Sequence, residues 1–267
     1  MIDRELDKYL PRSGTLAKAM RYSVFAGGKR FRPLLCILTA KALGKASKNI
    51  LPIACAIEMI HTFTLIHDDL PAMDNSDLRR GRPSCHKKFD EATAVLAGDA
   101  LNTLAFEVLA RDTGNAKVIE EISHALMEVV IGQVMDIESM NRKLNLKMLY
   151  AIHLKKTAAL LKACVRASAI HLKATPKQIK ALTNYALHLG LAFQIADDIL
   201  DATATAKQLG KPVGADEKKG FPNMVGIEKA KALAIKERKA AISALNMFDQ
   251  KADPLRGLAE FVVNREK

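Results

Sequence analysis

The chain has 267 residues, of which 49% are hydrophobic and 26% are charged, and this balance excludes an intrinsically disordered or collagen-like protein. Lys and Arg number 41 against 29 Asp and Glu, which gives a net charge of +12 and predicts an anionic partner. We expect no nucleic acid as that partner, because Trp is absent, aromatic residues make up only 5%, and single strands bind by stacking on aromatic rings.

Cysteine spacing and the distribution of apolar residues indicate a cellular compartment. The four cysteines form no CxxC pair and no metal-binding spacing, so we expect buried thiols in a reducing cytoplasm. The amino terminus is charged from its third residue, unlike a signal peptide. The most apolar run, 51–66, contains Glu58 and His61 and is shorter than a membrane span of roughly 20 residues. The sequence therefore predicts a cytoplasmic protein with no membrane span.

Apolar residues recur at helical spacing along the whole chain, and no segment alternates as a strand does. We predict an all-α fold in which residues 1–267 form a single domain. Pro33 suits the first turn of a helix, Gly44 suits a helix end, and Thr175-Pro176 is typical of a helix start. The predicted helices are 14–26, 31–44, 50–70, 90–112, 117–140, 146–172, 176–203, 223–248 and 255–264.

The first cluster of acidic residues lies between His67 and Pro83, in the sequence HDDLPAMDNSDLRRGRP. Asp68 and Asp69 directly follow an apolar stretch, so they occupy the carboxyl-terminal end of a predicted helix, where the helix dipole disfavours anions. A bound cation would relieve that cost. A polar helix end with solvated carboxylates is the alternative, and this cluster alone does not decide between them.

The second acidic cluster is Phe193–Asp201, with the sequence FQIADDILD. Asp197 and Asp201 are four residues apart and share one helix face with Gln194. Their neighbours are apolar, so these carboxylates belong to a buried helix and need a cationic partner. Two such clusters without His or Cys ligands indicate Mg²⁺, which is commonly shared with substrate phosphates.

Basic residues near helix starts provide candidate phosphate ligands. GGKRFRP at 27–33 combines two glycines with three cations where a helix begins, so backbone N–H groups and side chains can face one anion. Further cations lie at 79–82, 155–156 and 211. Each of these groups taken singly is also consistent with solvated surface side chains.

Eight motifs occur in a fixed order: GGKRFRP, DDLPAMD, LRRGRP, AGDAL, GQVMD, KKTAAL, FQIADDILD and LGKPVGAD. In this order and over about 16–228, the sequence resembles the trans-isoprenyl diphosphate synthases, or polyprenyl synthetases, and most closely the bacterial farnesyl diphosphate synthases. The resemblance implies the all-α isoprenoid synthase fold, a helical bundle around a central cavity, and a homodimer. It also implies that three Mg²⁺ ions bridge an allylic diphosphate to the two acidic motifs.

The resemblance assigns roles to particular side chains. The implied metal ligands and their supporting carboxylates are Asp68, Asp69, Asp74, Asp197, Asp198 and Asp201. The implied ligands of the allylic diphosphate are Arg79, Lys156 and Lys211. The implied pocket for isopentenyl diphosphate contains Lys29, Arg32, His61 and Arg80. Thr157 and Gln194 match residues that stabilise a carbocation. Outside these motifs, His61 on an apolar helix would be interpreted as a core histidine.

The reaction that the family catalyses is ionisation of the allylic C–O bond, attack by the isopentenyl double bond and loss of a proton. We expect a C15 product, farnesyl diphosphate, because Phe63 lies five residues, about 7.5 Å along the helix axis, from Asp68 and can form the floor of the pocket. A C20 product, geranylgeranyl diphosphate, is the alternative, since farnesyl synthases of the short-chain bacterial type more often have Tyr there and Phe63 lacks its hydroxyl. A non-catalytic regulatory subunit and a terpene cyclase are further alternatives, although the chain keeps both acidic motifs and the GGKRFRP segment.

The chain departs from the family pattern in two places. After Asp216 the family commonly continues to a Lys followed two residues later by Ser or Thr, whereas Glu217–Phe221 of this chain contains neither Ser nor Thr. This puts the contact of that loop with diphosphate in question. The amino-terminal helix is also shorter than usual, which affects the expected edge of the dimer but not the site.

Overall fold

The computed structural model describes residues 1–140, 144–203 and 220–264. Within these ranges the chain is a bundle of α-helices, in agreement with the predicted all-α fold. The elements in chain order are α1 (Ile2–Tyr9), α2 (Thr15–Val24), α3 (Phe31–Ala42), a 3₁₀ turn (Ser47–Ile50), α4 (Leu51–Asp68), β1 (Leu78–Arg79), β2 (Arg82–Pro83), α5 (Cys85–Lys88), α6 (Glu91–Thr113), α7 (Ala116–Ser139), α8 (Leu146–His153), a π-helical turn (Leu154–Ala158), α9 (Ala159–His171), α10 (Pro176–Thr203), α11 (Phe221–Val225), α12 (Ile227–Ala244), a 3₁₀ turn (Gln250–Ala252) and α13 (Asp253–Asn264).

Helix α4 lies at the centre of the bundle. It packs against α1, α2, α3, α6 and α9, and every side chain from Ile53 to Ile60 is buried. A helix that is apolar on nearly all sides is stable only when other helices cover it. The first acidic motif therefore begins at the carboxyl-terminal end of the central helix of the bundle.

A smaller apolar cluster joins the second half of the bundle. Leu149 of α8, Ile195 of α10 and Phe221 of α11 pack together with two alanines of α12. This cluster holds α10, which carries the second acidic motif, against the helices on both sides. Ile195, an apolar neighbour of the acidic residues in FQIADDILD, thus packs in the core as expected.

All nine predicted helices are present, with ends displaced by a few residues, and two of them are divided. The region 146–172 contains a π-helical turn, and α12 begins anew after Gly226, whose φ is +83°. Thr175 and Gln178 form the reciprocal hydrogen bonds of a helix start. Gly44, with φ of +68°, lies directly beyond the end of α3.

One short hairpin interrupts the helical pattern. Leu78 pairs with Pro83 and Arg79 with Arg82 in a short antiparallel hairpin. Arg80 and Gly81 both have positive φ, 55° and 73°, which is typical of a tight hairpin turn. Strands of two residues are too short to show alternation, so the periodicity of the sequence did not reveal them. The sequence analysis also did not predict α1 and α5.

Two glycines allow the π-helical turn to approach its neighbours closely. A Cβ at Gly132 of α7 would lie 2.4 Å from the backbone nitrogen of Lys156, and a Cβ at Gly190 of α10 would lie 2.5 Å from the Cβ of Ala158. Any larger residue would push the helices apart. This close packing explains a glycine inside α10, where it costs about 1 kcal/mol in helix propensity relative to Ala.

Two helical segments, Ser47–Asp68 and Glu91–Thr113, are long and apolar enough to cross a membrane by length and composition alone. The first is longer than the apolar run seen in the sequence, because the 3₁₀ turn continues into α4. Their apolar windows are 61% and 39% buried within the protein. Core helices of globular proteins pass the same test, so these segments give only weak support for a membrane span.

Candidate active site

The first acidic motif curls back onto the end of α4. Asp69 ends the helix, and the backbone N–H of Asp74 donates to the carbonyl of Asp68 at 2.9 Å. The segment 69–76 therefore returns Asp74 to the side of Asp68. Asn75 permits this tight path by adopting a φ of +47°.

Two carboxylates of this motif lack full compensation by cations. Burial raises the pKa of Asp68 to about 6, and Asp74 and Asp69 add to that rise against the opposing effect of Lys156. Partial desolvation also raises the pKa of Asp74. Carboxylates that resist ionisation next to each other form a site with an affinity for cations.

Asp69 has a different environment from its two neighbours. Its side chain is 2% exposed, and the Nε atom of Arg79 donates to both carboxylate oxygens at 3.1 Å, while Nη2 also donates to Oδ1. Asp69 thus fixes the orientation of Arg79. Since a guanidinium carries five N–H groups, Arg79 keeps donors for a further anion.

Lys156 lies in the π-helical turn, opposite the first acidic motif. Its Nζ donates to Oδ2 of Asp136 on α7 at 2.7 Å. Burial lowers the pKa of Lys156, but Asp136, Asp68 and Asp74 together raise it above the usual value. The sequence analysis had the GQVMD motif but did not single out Asp136, its last residue, and only the tertiary contact shows that it holds Lys156.

The second acidic motif is connected to Thr157 through side-chain hydrogen bonds. The Thr157 hydroxyl donates to Oε1 of Gln194 at 2.9 Å, and the Gln194 amide donates to Oδ1 of Asp198 at 3.0 Å. Asp197 lies within electrostatic reach of Arg32, and Asp201 is exposed at the end of α10. The structure therefore brings Thr157 and Gln194, the two residues that the resemblance assigns to carbocation stabilisation, into direct contact.

A cationic cluster lies at the start of α3. Nε of Arg32 is buried and has no hydrogen-bond partner in the described part of the chain, and burial lowers the pKa of Arg32. Burial, followed by the charges of Arg32 and Arg80, also lowers the pKa of His61 well below its usual value. The one buried carboxylate beside the cluster among the described residues, Glu58, accepts from Arg30, so Nε of Arg32 remains available to an anion.

Glycines shape the turn that holds this cluster. Gly28 has a φ of +115°, and a Cβ there would lie 2.6 Å from the Arg80 guanidinium, whose Nη1 donates to the carbonyl of Gly27. Lys29 is exposed, with Nζ 5.6 Å from the centre of the Phe261 ring. Arg30, by contrast, is structural: it donates to Asp3, Glu58 and the carbonyl of Val24.

Phe63 lies on α4, one turn before His67, and its ring centre is 5.5 Å from the His67 ring. Phe63 is half-buried and packs on the main core. Lys211 lies outside the described residues, as does the departure from the family pattern at 217–219.

Within the described ranges, no three His, Cys, Asp or Glu side chains are close enough to hold a metal ion by themselves. A Mg²⁺ ion that is shared with a diphosphate needs only one or two protein carboxylates. The all-oxygen donors and the raised pKa of Asp68 fit such an ion.

Comparison with known proteins identifies the class. The Polyprenyl synthetase family model matches residues 13–258, so the chain belongs to the polyprenyl synthetase family. It is a prenyltransferase with the isoprenoid synthase fold, and this family is generally Mg²⁺-dependent.

The relatives and solved structures that resemble the chain differ in product. It is 42% identical to a farnesyl diphosphate synthase of Bacillus subtilis (strain 168), over 99% of this chain and 95% of that protein. It is also 42% identical to a geranylgeranyl diphosphate synthase of Cyanophora paradoxa, over 99% and 93%. A polyprenyl synthase of Caulobacter crescentus CB15, complexed with calcium and isoprenyl diphosphate, superposes with a TM-score of 0.92 at 28% identity, over 100% of this chain and 94% of that chain.

Proposed function

We propose that the whole chain, as a single domain, condenses isopentenyl diphosphate with dimethylallyl and geranyl diphosphate to form farnesyl diphosphate. One observation carries this proposal: the bundle holds both a carboxylate, Asp68, whose raised pKa shows that nearby cations only partly offset its burial, and a buried guanidinium, Arg32, whose Nε has no hydrogen-bond partner among the described residues. An enzyme that joins two diphosphates needs both kinds of site. A terpene cyclase needs only the first.

Mg²⁺, three ions with diphosphate bound, would supply the positive charge that neutralises the leaving diphosphate. Asp68, Asp74 and Asp197 would hold these ions, with Asp69, Asp198 and Asp201 as the remaining acidic residues of the two motifs. Arg79 and Lys156, already oriented by Asp69 and Asp136, add fixed positive charge beside the same diphosphate, and Lys211 is the third expected cation.

The other site residues bind isopentenyl diphosphate and stabilise the allylic carbocation. Arg32, Arg80 and Lys29 bind isopentenyl diphosphate, and neutral His61 adds a hydrogen bond without adding charge. Oxygen atoms of Thr157 and Gln194 face the positive charge that develops on the allylic carbon. The departing diphosphate accepts the proton that the product loses, so no protein nucleophile is needed.

The test is an incubation of the purified chain with dimethylallyl diphosphate, labelled isopentenyl diphosphate and Mg²⁺. We expect labelled C15 alcohol after dephosphorylation. The absence of any elongated product would contradict the proposal and favour a regulatory subunit. Turnover that needs no isopentenyl diphosphate would favour a cyclase.

The product length depends on Phe63. Phe63→Ala removes most of a ring five residues before Asp68, so we expect the main product to shift from C15 to C20 or longer. Chromatography of dephosphorylated products measures the distribution. Equal distributions for the wild type and the variant would remove the physical basis for C15. The C20 product stays the alternative, because the chain is equally identical, at 42%, to a farnesyl and to a geranylgeranyl diphosphate synthase.

A homodimer is part of the proposal, as is a cytoplasmic location. Exposed apolar side chains follow one another at helical spacing on the outer face of α7, namely Met127, Val130, Ile131, Val134 and Ile137, and Leu96 of the neighbouring α6 is also exposed. Such a stripe is typical of a buried interface. Sedimentation should give about 58 kDa, twice the 29.2 kDa of the chain; a monomer would contradict it.

A further inference from the structure

Asp198 is surrounded by donors from the protein itself. Its Oδ1 accepts an N–H of the Gln194 amide at 3.0 Å, and its Oδ2 accepts the backbone N–H of Phe221 at 3.0 Å. Nε2 of His153 lies 3.4 Å from Oδ2 without hydrogen-bond geometry, and the Asp198 side chain is only 11% exposed. Both oxygens of this carboxylate are therefore engaged within the fold.

The partners of Asp198 are held by aromatic packing. The rings of His153 and Phe221 stack with centres 5.5 Å apart and planes 25° apart. Tyr150 contacts Phe221 edge-on, with ring centres 4.9 Å apart. Since Phe221 is fully buried, its backbone N–H has a fixed direction toward Asp198.

Gly220 makes this approach possible. Its φ is +119°, and a Cβ there would lie 3.2 Å from Oδ2 and 3.3 Å from Cγ of Asp198. A side chain at this position would be strained in its backbone and crowded against the carboxylate. The carboxylate and the Gly220-Phe221 backbone thus fit each other closely.

The carboxylate determines which way the Gln194 amide faces. An ionised carboxylate only accepts hydrogen bonds, so it requires the NH₂ group of Gln194. The carbonyl oxygen of Gln194 then faces Thr157 and accepts the hydroxyl proton at 2.9 Å. With its proton committed to Gln194, the Thr157 oxygen keeps only lone pairs for its other neighbours, and lone pairs stabilise positive charge.

We infer that Asp198 is a positioning residue, which fixes the direction of the Gln194–Thr157 hydrogen bond, and that it is not a direct Mg²⁺ ligand. Gly220, Phe221 and His153 hold Asp198 in place for that role. This inference rests on the proposed function, because it presumes that an allylic cation forms beside Thr157.

The first experiment is a double-mutant cycle of Asp198→Asn and Gln194→Ala. If the carbonyl oxygen of the new Asn accepts the Phe221 N–H, its NH₂ group faces Gln194. Gln194 must then point its carbonyl oxygen at residue 198 and its own NH₂ group at Thr157, which reverses the Gln194–Thr157 hydrogen bond. In the wild-type background we expect kcat to fall about tenfold, with KM for both substrates changed less than about twofold. In the Gln194→Ala background the same substitution should have no further effect on kcat, since its route of action is already lost.

The dependence on Mg²⁺ separates the two roles of Asp198. A positioning residue leaves the Mg²⁺ concentration for half-maximal rate unchanged in Asp198→Asn. A metal ligand predicts a raised Mg²⁺ requirement and a loss of kcat that persists in the Gln194→Ala background. Either of those results would overturn the inference.

Gly220→Ala is the second variant, and it retains every carboxylate. We expect a lower kcat, an unchanged Mg²⁺ requirement, and less than additive loss when it is combined with Asp198→Asn. Full additivity would contradict the inference. Thermal unfolding confirms that each variant is folded. If the wild type forms no elongated product, the proposed function fails; if it does and the cycle is additive, only the inference fails.

Discussion

The carboxylate site around Asp68 and the cationic pocket around Arg32 differ in the sign of the charge that each lacks. At the first, burial and neighbouring carboxylates raise the pKa of Asp68 to about 6. At the second, burial lowers the pKa of Arg32, and its Nε has no partner among the described residues. We therefore expect the first site to need a cation before it binds a diphosphate, and the second to bind one directly.

The largest expected effect comes from removing a metal-binding carboxylate. Asp68→Ala, and likewise Asp197→Ala, should lower kcat by about 10³-fold or more, because the leaving diphosphate loses charge neutralisation. Steady-state kinetics at saturating Mg²⁺ measures it. Asp77→Ala, an exposed carboxylate of the same segment, is the control for charge alone. Near-native turnover in either active-site variant would exclude that residue as a ligand.

The ion pair between Asp69 and Arg79 should contribute to the free energy of unfolding. Asp69→Asn leaves a guanidinium beside a neutral amide, and we expect the free energy of unfolding to fall by about 2 kcal/mol, a figure reduced because Arg79 is 27% exposed. Urea denaturation measures the change. Asp77→Asn breaks a pair with Lys87 in which the Asp77 side chain is 78% exposed, and the midpoint should not move. Equal midpoints for both variants would show that the Asp69–Arg79 pair is not structural.

In the cationic pocket, a single substitution should affect binding more than chemistry. Arg80→Ala should raise KM for isopentenyl diphosphate about tenfold with little change in kcat, since the contact is made in ground and transition states alike. Arg82→Ala is the matched control from the other side of the same hairpin, where the guanidinium lies 4.4 Å from the Tyr22 ring centre. An unchanged KM for Arg80→Ala would place Arg80 outside the pocket.

The pH dependence should be confined to the carboxylate site. Because the pKa of Asp68 is about 6, protons compete with Mg²⁺ there, and the Mg²⁺ requirement should rise as pH falls through 6. For the metal-free protein the quantity affected is the free energy of unfolding, and it should rise as pH falls. A folded-state pKa above the unfolded value of 3.8 means that this group gains stability as pH falls from above 6 toward 4. A Mg²⁺ requirement that stays constant between pH 8 and 5.5 would contradict this assignment.

The sequence predicted the helices and singled out the two acidic motifs, because apolar periodicity and motif spacing are local signals. It did not predict the π-helical turn, since the apolar pattern continues through it without a break. Nor did it predict the roles of Asp136 and His153, whose partners lie 20 and 45 residues away in the chain. The roles of Gly220 and Phe221 likewise follow only from their contacts with Asp198. Contacts between distant segments leave no local pattern to interpret.

The most direct test of two oppositely charged diphosphate sites is calorimetric titration with and without Mg²⁺. Isopentenyl diphosphate should bind in the presence of EDTA with an affinity within a few-fold of that in Mg²⁺, since the pocket around Arg32 needs no cation. Dimethylallyl thiolodiphosphate, which does not ionise, should bind only when Mg²⁺ is present. If EDTA abolishes binding of isopentenyl diphosphate, or leaves binding of the allylic analogue intact, the assignment of the two sites is contradicted.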